Sequence, residues 1–274
     1  MNTIAVRAEL AYEVQRDSSF ALSITAARTP HQLVTSENID IRPDTNISLV
    51  PYGEGTHQLL RFEVPPGMLE ISYDATVTLN GDAADPTDLD EVSFAHIPAD
   101  VMPYLNPSRY CESDKLTSFA TKRFGDTTPG HTRVQAIADW VEANLDYESG
   151  ATDGSSSTTD VLLQRAGVCR DFAHVSISLC RALGIPARYV SGYGVGVEPQ
   201  DFHGYFEAYI GSDWYLFDPT GMAAINELAR IGYGRDAADA PFATFVGQAA
   251  LVSKFISVET VGGNEVAPDA TSTA

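Results

Sequence analysis

Three side chains far apart in the chain have the types needed for nucleophilic acyl transfer: Cys169, His203 and Asp218. Cys169 follows Gly167-Val168 and opens a strongly apolar stretch, Cys169 to Leu183, with Phe172, Ser176, Leu179 and Leu183 along one side. That spacing predicts a helix with a thiol at its N-terminus, where unpaired N–H groups and the positive end of the dipole favour an anion. The thiolate is the form that attacks carbonyls, and such a position favours it. His203 opens an apparent strand and Asp218 closes the next one. A thiol, an imidazole and a carboxylate in that order are the parts of such a site.

The elements that must bring these groups together are legible as a hairpin. His203 to Ile210 and Trp214 to Asp218 are strand-like and flank a turn around Gly211-Ser212-Asp213; Pro219 ends the second strand. A turn centred between Ile210 and Gly211 sets His203 directly opposite Asp218, with Cβ atoms about 4.5–5.5 Å apart. A turn centred one residue later makes the pair diagonal. Ala187 to Gly194 reads as a third strand after the break at Gly184-Ile185-Pro186. Upstream, Ser113 heads a helix with Leu116, Phe119, Ala120 and Phe124, ended by Gly125. Val134, Ile137, Val141 and Leu145 recur at helical spacing, and Ser157 with Asp160 resembles a capping box.

The front of the chain reads differently. Ile4 to Val14, Phe20 to Ala26, Leu59 to Val64 and Leu69 to Leu79 are strand-like, separated by turn formers such as Asp17-Ser18-Ser19 and Pro65-Pro66-Gly67. Short strands at this spacing suggest a β-sandwich. The expectation is an α+β protein: a β-sandwich domain over 1–82, a linker over 83–97, a domain of helices packed on an antiparallel sheet over 98–261, and a disordered tail over 262–274.

Composition narrows the partners. The chain of 274 residues carries 17 basic and 37 acidic residues, a net charge of −20, and only three lysines. That balance argues against nucleic acid and anionic membranes, which require basic patches. The start of the chain has no signal-like apolar run, and no stretch reaches the roughly 18 apolar residues of a membrane span. The three cysteines, Cys111, Cys169 and Cys180, form no disulfide framework; Cys169 and Cys180 stand roughly 16 Å apart on one helix. A reducing cytoplasm is the expected compartment. No Cys-x-x-Cys or comparable ligand pair is present, so neither a metal nor any other cofactor is expected. Cys111 and Cys180 read as buried apolar residues, Asp171 as a helix-start carboxylate, and His174 as a residue of another helix face than Cys169.

The stretch Leu163 to Tyr193, with His203-Gly204-Tyr205-Phe206-Glu207 and Trp214-Tyr215-Leu216-Phe217-Asp218-Pro219-Thr220, resembles the core of bacterial transglutaminase-like proteins. Pro107 to Asp114 and Gly234 to Asp239 also look typical of that family, and the β-rich front resembles its N-terminal domain. The resemblance implies a papain- or transglutaminase-like core, with Cys169 as nucleophile, His203 as general base and acid, and Asp218 as the orienting group. It places Tyr110 and Tyr205 more weakly in a substrate cleft. Relatives usually have His-Ala-Trp where this chain has His203-Gly204-Tyr205. The implied activity is acyl transfer on peptide or protein amides through a thioester, with hydrolysis as a cysteine peptidase or amidase favoured. Transamidation, or a binding scaffold without catalysis, is the alternative.

Overall fold

A computed structural model describes residues 1–52, 56–263 and 270–272. In chain order the strands of the front part are β1 (Asn2–Leu22), β2 (Gln32–Arg42), β3 (Ser48–Tyr52), β4 (His57–Val64), β5 (Gly67–Leu79) and β6 (Asp82–Ala84). Helices α1 (Thr117–Phe124) and α2 (His131–Asn144) follow, then β7 (Asp146–Tyr147), α3 (Thr158–Gln164), β8 (Ala166–Gly167) and α4 (Cys169–Ala182). The rest is β9 (Ala187–Gly194), β10 (His203–Ile210), β11 (Asp213–Phe217), β12 (Leu228–Gly234), β13 (Ala243–Gly262) and β14 (Ala270–Ser272).

The front sheet is built from long ribbons. Strand β1 pairs with β5 along its first part and with β4 along its last, both antiparallel. Thus β4 and β5 are two lengths of one strand, interrupted at Pro65-Pro66, whose residues have no N–H to give to a ladder. Even-numbered residues of β1 from Asn2 to Val14 point inward, the period-2 pattern of a half-buried strand. Tyr12 and Phe20 hold their ring centroids 5.3 Å apart, although eight extended residues span roughly 26 Å. The ribbon therefore doubles over between them. Register shifts between Val14 and Arg16 and between Arg16 and Ser19 mark the bend, as bulges increase local twist and curvature. The turn expected at Asp17-Ser18-Ser19 is thus a corner inside one strand. Gly247 sits opposite it at φ 137°, where a β-carbon would run into Ser18. Folding the sheet on itself lets Ile4, Leu10, Tyr12, Phe20, Phe62 and Tyr73 share one core.

Two boundaries differ from the sequence reading. Strand β13 comes from the far end of the chain and pairs with β1 along its length, so the front domain is completed by residues placed in the second domain. The expected tail from 262 contains the last residue of β13 and the buried strand β14, which pairs with β11 and β6; 264–269 and 273–274 lie outside the described residues. The expected linker is also bound in place. Leu89 is buried in the second core, and Glu91 pairs with Arg133 at 2.9 Å.

The second sheet runs β12-β9-β10-β11-β14-β6. Helix α4 is buried from Asp171 to Arg181; its Phe172, Val175 and Leu179 share a core with Tyr189, Phe206 and Ala208 of the sheet. Toward the end of β9, Tyr193 with Ala229 and Ile231 joins the core of the front sheet, and Tyr193 donates to Ile24 O at 2.5 Å. The opposite face carries a smaller core of Val190, Tyr205, Leu216 and Leu228, so the sheet that holds His203 is packed on both faces. Among the described residues, no helix is long and apolar enough to cross a membrane.

Candidate active site

Cys169 is the first residue of α4, after an extended Val168. Asp171, fully buried, accepts from Val168 N at 3.0 Å, so its carboxylate satisfies a donor at the helix start. Arg170 braces it, giving Nε and one terminal nitrogen to Asp171 Oδ1 at 3.1 and 3.0 Å and reaching Asp153 O at 2.9 Å. Thr152 also donates to Asp171. These bonds tie the loop of 150–157 to the helix that carries the thiol. Gly167 is required here, because a β-carbon would meet Asp171 Cβ at 2.8 Å.

His203 opens β10 and is completely buried. Its Nε2 bonds Asp218 Oδ2 at 3.0 Å. The hairpin turns through Gly211 and Ser212, both at positive φ, in the two-residue form whose twist suits a hairpin. Ile210 pairs with Asp213 and Phe206 with Phe217, so the turn is centred one residue later than the directly opposed arrangement needs. The pair is diagonal. It closes because the chain leaves the ladder after Phe217, and Asp218 is fixed by other donors. Its Oδ1 accepts from Thr220 N at 3.0 Å and Thr220 Oγ1 at 2.8 Å, and its Oδ2 from Ala223 N at 3.1 Å.

Asp218 holds Nε2, leaving Nδ1 buried and without a hydrogen-bond partner among the described residues. The nearby thiol of Cys169 also acts on the ring, in the direction that raises its pKa. Burial by itself lowers the imidazole's pKa, but the charge and hydrogen bond of Asp218, with Cys169, outweigh it and raise it to about 10. Cys169 itself is half-buried, with Sγ 3.9 Å from Phe202 O.

The thiol faces a cavity of about 470 Å³ lined by Tyr110, Tyr147, Tyr189, Phe202, Phe242 and Lys254, among others. Tyr110 is in this cleft, its hydroxyl donating to Gly154 O at 2.8 Å and its ring stacked 5.1 Å from His174. Tyr205 is not. It is fully buried behind His203, with ring centroids 6.1 Å apart, and packs with Val190, Leu216 and Leu228. The strand's alternation keeps it on His203's face but two residues deeper. Gly204 also has a reason: a β-carbon there would meet Tyr189 Oη at 2.6 Å, so alanine does not fit beside this tyrosine.

The other cysteines and His174 are structural. Burial pushes the Cys111 thiol up to about 12; Cys180 is likewise buried and raised. His174 is buried, accepts from Ala237 N at 3.1 Å and is lowered by burial to about 4. The two outlying stretches, Pro107 to Asp114 and Gly234 to Asp239, meet where Tyr110 N donates to Asp236 Oδ2 at 2.9 Å. Among the described residues, no three of His, Cys, Asp and Glu are grouped as a metal site. Tyr147, Phe202, Phe242 and Lys254 escaped the sequence reading. Tyr147 lies on a two-residue strand paired across the chain to Gly167, and Lys254 reaches the cleft from β13, where its ammonium pairs with Asp201.

Known proteins share this fold and these two sequence regions. Residues 117–219 match the transglutaminase-like superfamily core, and 3–100 match the bacterial transglutaminase N-terminal domain. A solved structure of a candidate cysteine protease from Cytophaga hutchinsonii is 37% identical, with a TM-score of 0.93 over 97% of this chain and 93% of that one. The uncharacterized protein ML0607 of Mycobacterium leprae is 37% identical over 145 residues, 49% of this chain and 51% of its own length. Uncharacterized protein Mb2599c of Mycobacterium bovis is 30% identical over 154 residues, 50% of this chain and 48% of its own length. The chain thus spans about half the length of the curated relatives it matches. It belongs to the transglutaminase-like superfamily, with a bacterial transglutaminase N-terminal domain preceding the core.

Proposed function

We propose that this protein is a thiol-dependent enzyme that hydrolyses amide bonds of peptides or proteins through a thioester, with Cys169, His203 and Asp218 as its catalytic triad. The observation that carries this reading is the placing of His203 between Asp218, bonded at Nε2, and the Cys169 thiol, which itself lines a cavity open to substrate. The description of the Cytophaga hutchinsonii protein as a candidate cysteine protease supports it.

The steps follow from the parts. Cys169 sulfur, its proton passed to His203, adds to the amide carbon and a C–S bond forms. The carbonyl pair moves to oxygen, where the Cys169 backbone N–H at the helix start stabilises it. On collapse the C–N bond breaks, and the imidazolium gives its proton to the leaving amine. With its pKa near 10, His203 carries that proton at neutral pH. Water, deprotonated by His203, then adds to the thioester; the C–S bond breaks, releasing the acid and restoring the thiol.

A screen of peptide and isopeptide amides, run with and without added amine and with Cys169→Ala as control, tests this. Amine or ammonia released in water alone, and abolished in Cys169→Ala, is the expected result. Product formed only when amine is added would assign transamidation instead. Equal activity in Cys169→Ala would remove the triad altogether.

A further inference from the structure

Arg188 leaves part of its donor set unused. It stands on β9 opposite Glu207 of β10 and alternates with Ala187 and Tyr189, which pack under α4. It therefore points from the opposite face of the sheet. Only 5% exposed, it gives Nε to Glu207 Oε2 at 2.5 Å. The rings of Trp214 and Tyr233 lie 4.1 and 3.9 Å from its Cζ. Ring faces attract the charge but leave in-plane N–H groups to find acceptors of their own. The two terminal nitrogens of Arg188 make no hydrogen bond among the described residues.

The same two rings line a cavity of about 160 Å³, together with Arg188, Arg230, Val101 and Tyr104. It shares no lining residue with the cleft of Cys169. Arg188 and Arg230 are paired with the single carboxylate of Glu207, which leaves one positive charge in excess in a place nearly shut from water. Asp100 also lines the cavity but is exposed, so solvent and salt screen its opposing charge. The terminal pair of a guanidinium matches the two oxygens of a carboxylate. The aromatic and Val101 walls suit a short hydrocarbon body. Since a cavity of about 150 Å³ takes benzene, this one holds about six non-hydrogen atoms.

We propose that this cavity is a binding site for a small monocarboxylate, held by the two terminal nitrogens of Arg188 with its carbon chain against Trp214 and Tyr104. Binding makes and breaks no covalent bond. It is independent of the thioester reading above, and Cys169→Ala should bind the acid as the wild type does.

The chain has two tryptophans, Trp140 on α2 and Trp214 in the cavity wall. Fluorescence of a Trp140→Phe chain therefore reports the cavity alone. Sodium butyrate, an acid of the right size, is titrated against sodium chloride at equal ionic strength. A saturable change with butyrate and none with chloride is expected. Butyramide, the same body without the charge, should bind at least about ten-fold more weakly, as loss of charged hydrogen bonds implies. Arg188→Lys keeps the charge without the fork and should weaken butyrate by a similar factor, a cooperative urea transition showing that the variant is folded. Asp100→Asn removes an exposed opposing charge and should tighten butyrate by about two-fold; with butyramide it decides the matter if Arg188→Lys does not fold. No saturable change with butyrate would overturn the proposal. So would butyramide binding as tightly as butyrate, which would make this an apolar cavity only. A folded Arg188→Lys that binds as the wild type does, or Asp100→Asn without tightening, would overturn it as well.

Discussion

Asp218 Oδ2 accepts from His203 Nε2 at 3.0 Å across a diagonal of the β10–β11 hairpin, one residue past the end of the second strand. The carboxylate can reach because three further donors, from Thr220 and Ala223, hold it in place beyond the ladder. An asparagine there keeps the shape and removes the charge that keeps the imidazole protonated. Asp218→Asn should lower kcat on any amide substrate by about 10²–10⁴-fold, as loss of the orienting carboxylate does in serine triads. The alkaline limb of activity, expected near pH 10 in the wild type, should move to lower pH, because burial then dominates the ring. The sign for stability is also set. His203's raised pKa stabilises the native state fully below about pH 6.5 and is lost as pH rises through about 10. The Tm difference between wild type and Asp218→Asn should shrink toward pH 10.

Gly204 and Tyr189 occupy one space, with 2.6 Å between Tyr189 Oη and the site of a β-carbon at 204. Gly204→Ala should destabilise the protein by about 1–3 kcal/mol, the usual cost of overpacking. Tyr189→Phe in the same chain should recover part of this. Recovery is incomplete because ring carbons Cε2 and Cζ stay 3.0 and 3.1 Å from the added atom. Denaturant midpoints of the two single variants and the double variant measure the coupling; strictly additive effects would contradict it.

His57 is buried with neither ring nitrogen hydrogen-bonded among the described residues, edge-on to Tyr233 at 4.6 Å. Burial first, then Arg230 and Arg188, lower its pKa from 6.5 to about 4. The native state therefore binds fewer protons than the unfolded chain between those values, and stability falls as pH drops through that window. The loss is on the order of 3 kcal/mol at about 1.36 kcal/mol per unit. Urea titrations from pH 7 to 4 should show this slope, shallower in His57→Phe. His174, lowered to about 4 in the same way, keeps some of the slope in that variant.

Glu207 lies four residues along β10 from His203 and is fully buried between two guanidinium groups. Arg188 Nε donates to it at 2.5 Å, and Arg230 donates to its other oxygen. Arg188 in turn stacks on Trp214 and Tyr233 at 4.1 and 3.9 Å. Removing the carboxylate leaves buried like charges uncompensated. Glu207→Leu should cost about 3–5 kcal/mol, measured by denaturation. Iodoacetamide reactivity of Cys169 in the folded fraction should stay at the wild-type rate, since no part of this cluster touches the thiol.

The candidate site was legible in local pattern. Gly167-Val168-Cys169 announces a helix start, and β9, β10 and α4 lie almost where their periodicity puts them, because apolar spacing reports burial directly. The capped start of α3 was legible for the same local reason, Asp160 sitting three residues after Ser157 and accepting its N–H; Asp171, read only as a helix-start carboxylate, also accepts Val168 N–H. What the tertiary structure decided involves residues with no local signature. The hairpin register depended on Gly211 and Ser212 both taking positive φ, which fixed a diagonal for His203 and Asp218. Tyr205's place behind the imidazole, where a cleft position was expected, came from the packing of Val190 and Leu228. The bend of β1, the capture of β13 by the front sheet and the arrival of Tyr147 beside Cys169 all join residues distant in the chain. Backbone pairing between such stretches is chosen by the whole fold's buried surface, which no single window of sequence contains.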